Sequence, residues 1–505
     1  MTQSLMRAGA VLAIMAFWYV PVRASATDLT CDFAPYPSLQ WTACEASNYA
    51  KLSEAPAEQT NLWFQLRLLQ QNGTNLETWT ARALADPSWL GLPSGNSAVT
   101  PVGATWQGPF AGDPFRYAEA QGPDGRSFYA NEADVIPVVF YDRRCTRLSA
   151  RLWAPKQAQA GAKLPTVLFI NGSIQATEPA YWWIAEALVR AGYAVMTFDP
   201  RGQSRSDWQS PDGQQGGNTN VQIFWQEGVD AIDFLHSTPA RPYPHNAGCA
   251  SAYPTVTAAF NPIWNRIDRA RLGVSGHSAG AVAVSVLQGY GAPGADPWPG
   301  VMDTTNPVAA VVALDSLIAS NGSSFIPFDS SLLPSQVSTA LVQVGTQGNL
   351  PRFGPRAPSL TIDAEYSLDQ PVPFPVPPDP ELHKVTFGIW LAAGVPIFTL
   401  THQGTYHLDF ASAAGAPATS WCPDPASGAC EGGWARPSIT YYTVAWFDRW
   451  LKKPGEAGYT DADARLRNDS GPQGAVKMSF HFRSARDFPD RSGVREHCES
   501  IRTGC

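Results

Sequence analysis

The sequence predicts an α/β protein: a mostly parallel central sheet with helices on both faces, long loop insertions and an N-terminal extension. Three observations predict it. Short, wholly apolar runs such as 166–170 (TVLFI) and 308–314 (VAAVVAL) have the length and composition of strands buried on both faces. These runs alternate with segments of helical spacing, the pattern that lays parallel strands between two layers of helices. At 276–280 (GHSAG) a strand passes directly into a helix through a glycine-flanked turn.

The elements come in order along the chain. Residues 1–26 read as a cleaved export signal, with Arg7 ahead of an apolar run at 8–20 and Ala24-Ser25-Ala26 as the small-residue site. The apolar run is too short to span a bilayer as a helix. Residues 27–134 show no steady period apart from a helical stretch at 61–71, and are taken as an extension packed on the main domain. The main domain spans 135–455. It opens with a hairpin, 135–141 and 147–153. Strands come next at 166–170, 193–198, 271–275, 308–314, 339–344 and 395–400, with helices at 181–190, 224–235, 279–288 and 439–451, the last with Ser438 placed as its cap. Two stretches, 236–268 and 346–385, read as insertions; the second holds a proline-rich segment at 371–378 that suits either a lid or a rigid strut. Residues 456–505 form a C-terminal tail.

Composition narrows the function. Only 15% of residues are charged and the formal charge is −8, so no basic field exists to attract nucleic acid. Signal removal takes the charge to −10, because Arg7 and Arg23 leave and no acid does. With 44% hydrophobic residues and 18 Trp, the chain has ample material for a core. All eight cysteines lie beyond the signal, and an even number in an exported chain points to disulfides. Closeness in sequence favours Cys31–Cys44, Cys422–Cys430 and Cys498–Cys505, leaving Cys145 with Cys249. No phosphate loop, metal cluster or other cofactor motif is present, no later segment is long and apolar enough for a membrane, and the oligomeric state is open.

The chemistry converges on Ser278. The turn Gly276-His277-Ser278-Ala279-Gly280 has the form G-x-S-x-G between a strand and a helix. So tight a bend brings the residues two before and two after the serine face to face, so both must be glycine, and it lifts the hydroxyl clear of the backbone. A serine hydroxyl needs a base at neutral pH. His407, after the last core strand, is the first choice, with His402 in reserve; His277 lies inside the turn and is expected to point away. Asp315, closing the strand 308–314, is the choice for the acid that orients the imidazole, with Asp363 and Glu365 as rivals. The amides of Ala279 and of Ser173, in the loop Asn171-Gly172-Ser173, are placed to receive an oxyanion.

These motifs, together with the segment 198–206 (FDPRGQSRS), ALDS at 313–316 and GTYHLDF at 404–410, resemble the α/β-hydrolase superfamily over about 135–455. The chain looks most like the branch of platelet-activating-factor acetylhydrolases, dienelactone-hydrolase-like proteins and bacterial cutinases or polyester hydrolases. The acetylhydrolases place their acid after the strand that follows the turn helix, as Asp315 is placed; cutinase-like members place it one strand later, where this chain has no carboxylate at 344–349. The resemblance implies the α/β-hydrolase fold and a secreted or periplasmic serine hydrolase acting on lipid-like, aryl or polymeric carboxylic esters. A peptidase or amidase on the same sheet, or a binding protein that keeps the fold without catalysis, are the alternatives. Trp182 and Trp183, near the oxyanion loop, are either part of an apolar substrate pocket or core.

Overall fold

The computed structural model describes residues 31–52 except 33, 84, 128–157, 161–173, 178–203, 206–207, 209–214, 216, 220–249, 258–315, 317–319, 350–366, 374–411 and 435–505. The export signal, the helical stretch at 61–71, the strand expected at 339–344 and the pair Cys422–Cys430 lie outside the described residues.

Ten strands form one sheet: β1 (Ala133–Tyr141), β2 (Arg147–Pro155), β3 (Leu164–Ile170), β4 (Ala194–Phe198), β5 (Ile267–His277), β6 (Val308–Leu314), β7 (Ser359–Tyr366), β8 (Ile397–Tyr406), β9 (Ala485–Pro489) and β10 (Arg495–Cys498). Their spatial order is β1-β2-β4-β3-β5-β6-β7-β8-β9-β10. From β4 to β8 every pairing is parallel, while the flanking pairs β1–β2, β2–β4, β8–β9 and β9–β10 are antiparallel.

The helices among the described residues are α1 (Leu39–Leu52), α2 (Phe128–Asn131), α3 (Trp182–Arg190), α4 (Gln222–His236), α5 (Pro244–Cys249), α6 (Ala279–Gly289), α7 (Val385–Ala392), α8 (Arg436–Leu451) and α9 (Ala462–Leu466). Alternation along the strands splits the core in two. Leu168, Ile170 and Met196 join the core that includes α4, α6 and α7. Val167, Phe169 and Val195 join the core that includes α3 and α8. β3 is buried along its whole length, which explains why its sequence carries no polar side.

Three features differ from the sequence reading. The stretch 346–385 is not an uninterrupted insertion, because β7 runs through it and pairs with β6 and β8. Its polar residues Ser359, Thr361, Asp363 and Glu365 alternate with Leu360, Ile362, Ala364 and Tyr366, and all eight are buried, so a fully interior strand carries the pattern of a half-exposed one. Ser438 is not the cap of α8: the helix begins one turn earlier, with Pro437 in its first turn, and the Ser438 hydroxyl is bonded to His402 instead. The tail supplies β9 and β10 and so extends the sheet.

Within the N-terminal extension, α1 packs against β8. Glu45 of α1 meets His481 (Oε2 to Nε2, 2.5 Å) and accepts from the Tyr366 hydroxyl (3.1 Å) and the Phe374 amide (2.8 Å). Asn48 donates to Glu365. From Phe374 onward the proline-rich stretch is fastened here too, since the Tyr36 hydroxyl donates to the Pro375 carbonyl (2.7 Å).

Disulfides join Cys31–Cys44, Cys145–Cys249 and Cys498–Cys505, as the spacing anticipates. No helix among the described residues is long and apolar enough to cross a membrane. Cys145–Cys249 ties the β1–β2 turn to α5 across 104 residues, whereas Cys498–Cys505 spans 7. Loop-closure entropy in the unfolded chain therefore predicts that the double serine variant at 145 and 249 loses about 4–5 kcal/mol, and that at 498 and 505 roughly half as much. Denaturant unfolding of the two variants measures the difference; equal losses would contradict the entropic account.

Candidate active site

The site is built at the ends of β5, β6 and β8, where the parallel strands finish. Ser278 follows β5 and stands at the head of α6 with φ 57° and ψ −118°. That left-handed φ is costly for a residue with a side chain and persists only where the surroundings impose it. The surroundings are explicit here. A Cβ on Gly276 would lie 2.4 Å from the Gly280 carbonyl oxygen, and one on Gly280 would lie 2.1 Å from that of Ile170. Only hydrogen fits at either position, so β3, β5 and the first turn of α6 close on one another.

The loop after β3 approaches the same point. A Cβ on Gly172 would come within 3.1 Å of the Ser278 Cβ, so the Gly172 backbone lies directly against the serine. Asn171 donates to Asp199 Oδ1 (3.3 Å), which also accepts the Glu178 amide (2.8 Å) and so braces this loop from below. Ala279 is the first residue of α6, and its amide belongs to a helix N-terminus, which favours negative charge.

Asp315 follows β6, also with positive φ (51°). One oxygen accepts the Ala364 amide (3.1 Å), and the other lies 2.5 Å from His407 Nδ1. Because a carboxylate only accepts, His407 carries a hydrogen on Nδ1, and in the neutral ring Nε2 is then bare. Burial works to raise the Asp315 carboxyl, yet the hydrogen bond from His407, the attraction of that ring when protonated and the Ala364 amide outweigh it, and the carboxyl sits below its usual 3.8. His407 opens a short 3-10 turn, His407–Phe410, in which Asp409 accepts the Tyr406 amide (2.9 Å) and so sets where the imidazole begins.

The other candidates are held elsewhere. Glu365 is bonded to Ser479 (2.5 Å), to the Gly404 amide (2.6 Å) and to Asn48. Asp363 is buried inside β7 and accepts from the Thr361 hydroxyl (2.9 Å); burial first, and the Asp315 charge second, push its carboxyl well above the usual range, so it is neutral. His402 is enclosed within β8, with Nε2 2.6 Å from the Ser438 hydroxyl and a buried Nδ1 that has no partner; burial pushes it down to about 3. Trp182 is core, its Nε1 donating to Glu178 (3.0 Å), and Trp183 lies beneath the Arg436 guanidinium at 4.3 Å.

The motif alone sets His277 aside, yet its ring packs at a tilt of 39° against that of His407, with centroids 4.5 Å apart. Its Nε2 lies 2.9 Å from the His407 carbonyl oxygen and its Nδ1 2.7 Å from the Tyr181 hydroxyl. A side chain at the second position of a tight turn has no direction in sequence, which is why the motif hides it.

No family model and no curated protein sequence matches the chain. Among solved structures, it resembles distantly a butyrate-bound esterase from the planctomycete Thermogutta terrifontis (14% identity, TM-score 0.36, covering 57% of this chain and 89% of that one). It resembles the acylaminoacyl peptidase of Pyrococcus horikoshii (12% identity, TM-score 0.39, covering 67% and 45%). It also resembles the AtxE2 isopeptidase (16% identity, TM-score 0.36, covering 66% and 43%). The chain thus spans less than half the length of the last two.

Asp363 gives a pH prediction. Its pKa in the fold is raised above that of the unfolded chain. Below the unfolded value both states are protonated and it costs nothing; as pH rises past that value the unfolded state alone releases the proton, and stability falls. Asp363→Asn keeps the bond from Thr361 and cannot ionise. Its melting temperature is expected to match the parent's near pH 3 and to exceed it increasingly toward pH 7. A gap independent of pH would show that Asp363 is not held neutral.

Proposed function

We propose that the chain is an exported serine hydrolase that cleaves carboxylic esters through an acyl-enzyme, with Ser278 as nucleophile, His407 as base and Asp315 as the orienting acid. One observation carries the reading: His407 Nδ1 stands 2.5 Å from Asp315, its ring meets that of His277 at 4.5 Å, and the residue after His277 is a serine held at φ 57° between two glycines that admit no side chain. Nothing in a merely structural turn requires that strain, whereas an exposed nucleophile does. The resemblance to the α/β-hydrolase superfamily read from the motifs points the same way. Disulfides at 31–44, 145–249 and 498–505 support an oxidising compartment.

The steps are set by the atoms. His407 Nε2 is bare and takes the Ser278 proton as Oγ attacks the ester carbonyl. The imidazolium that forms is stabilised by Asp315, which is already ionised. Negative charge gathers on the former carbonyl oxygen, where the amides of Ser173 and Ala279 supply donors; loss of one such donor typically costs about 3–4 kcal/mol. His407 then passes its proton to the leaving alcohol. Water, deprotonated by the same nitrogen, attacks the acyl-enzyme, and His407 returns that proton to Ser278 Oγ as the acyl–oxygen bond breaks and the acid leaves. Residues 135–455 serve as the hydrolase unit in this reading, with β9 and β10 from the tail completing its sheet.

Two measurements test it. Hydrolysis of acyl esters of increasing chain length, run beside the matching amides, is expected to show ester turnover that Ser278→Ala lowers by about a thousandfold or more. Faster amide than ester turnover would move the assignment to a peptidase or amidase, and no Ser278-dependent turnover would leave a binding protein. In the second, Asp315→Asn is expected to lower kcat on the order of a thousandfold with the fold retained, while Asp363→Asn and Glu365→Gln keep turnover. Equal activity in all three would remove Asp315 from the mechanism.

A further inference from the structure

The residue before Ser278 is joined on both sides. His277 Nε2 faces the His407 carbonyl oxygen at 2.9 Å. A carbonyl only accepts, so Nε2 carries the hydrogen. In the neutral ring Nδ1 is then bare, and the Tyr181 hydroxyl, 2.7 Å away, must donate to it. The Tyr181 oxygen in turn accepts the Gly172 amide at 3.3 Å. Every donor along this path is fixed by its neighbour. It starts in the loop that carries Ser173, passes beside Ser278 and ends on the peptide of His407.

We propose that His277 and Tyr181 are positioning residues that lock the His407 peptide, and through it the imidazole, to the oxyanion loop and the serine turn. The proposal rests on the serine-hydrolase reading above and deepens it. Neither side chain need touch the substrate. Tyr181 is fully enclosed and packs its ring on Phe169, with centroids 4.8 Å apart. His277 is enclosed by Tyr181, His407 and Phe410.

The lock has to hold while His407 gains and loses a proton. Burial holds the His277 imidazole well below its usual range, and a positive His407 pushes it lower still. His277 therefore stays neutral when its neighbour is charged, and its Nε2 hydrogen and bare Nδ1 keep their directions. Burial likewise holds the Tyr181 hydroxyl protonated, so it remains a donor. A protonated His277 would put a hydrogen on Nδ1 and reverse the first link.

The test compares two variants at one position. His277→Leu removes both polar atoms and leaves the His407 carbonyl without its donor. His277→Gln retains an amide donor for that carbonyl and an oxygen to accept from Tyr181. With one activated ester as substrate, His277→Leu is expected to lower kcat on the order of a hundredfold with KM within about twofold, the signature of a misplaced catalytic group. His277→Gln is expected to return kcat to within about fivefold of the parent, and Tyr181→Phe to lower it about tenfold. Melting curves of all variants accompany the kinetics. If His277→Leu fails to fold, Tyr181→Phe decides alone, since it keeps the packed ring and deletes only the hydroxyl.

Equal kcat for the leucine and glutamine variants, or unchanged kcat in Tyr181→Phe, would overturn the positioning role. Ser278→Ala, run in the same assay, separates the two layers. If it is inactive while the His277 and Tyr181 variants turn over normally, only the lock is wrong. If it is active, the serine reading fails and takes the lock with it.

Discussion

Between β5 and α6 the chain reverses in a space that admits no side chain on either flank. The carbonyl oxygens of Gly280 and Ile170 occupy the volume that a methyl group at 276 or 280 would need. That crowding brings β3, β5 and α6 together, forces Ser278 to positive φ and lays the Gly172 backbone against it. The two cores on the faces of the sheet hold the strands firmly enough to sustain this strain.

Beyond the turn, the remaining groups owe their character to which strand end carries them. Asp315 and Asp363 lie on neighbouring strands of one sheet, yet they are opposites electrically. Asp315, just past β6, gains an imidazole and a peptide amide and is ionised. Asp363, inside β7, gains one hydroxyl and feels the negative charge of Asp315, so it keeps its proton. His407 and His402 divide in the same way, one past the end of β8 and beside a carboxylate, the other enclosed within the strand. Position relative to the strand end thus separates the groups that meet each other from those enclosed within their strands.

Much of this is legible in the sequence because it rests on local rules. The apolar runs, the opening hairpin and the glycine-flanked turn each carry their structure within ten residues or so. The order Ser278, Asp315, His407 comes from which residues stand just after strands. The rest depends on surroundings that arrive from far along the chain. β7 is buried among polar partners, so its alternation resembles a surface strand and the segment passes for an insertion. Ser438 has the composition of a cap, but His402, 36 residues earlier, claims its hydroxyl. β9 and β10 are too short to show a period and form because β8 offers an open edge. The direction of the His277 ring is beyond reach for the same reason, since Tyr181 and the His407 peptide set it.

The first helix bears on how the molecule tolerates trimming. α1 looks peripheral, far ahead of the Ser278 turn in sequence, and an engineer seeking a minimal sheet domain would remove it. Its inner face, however, supplies Glu45 to His481 and Asn48 to Glu365, all enclosed. Deleting it would take Glu45 from His481 and Asn48 from Glu365, which would keep Ser479 and the Gly404 amide as partners. Glu365 also grips the Gly404 amide, three residues upstream of His407. A shortened chain would thus be weakened close to His407, and the apparently dispensable helix is better regarded as a keystone.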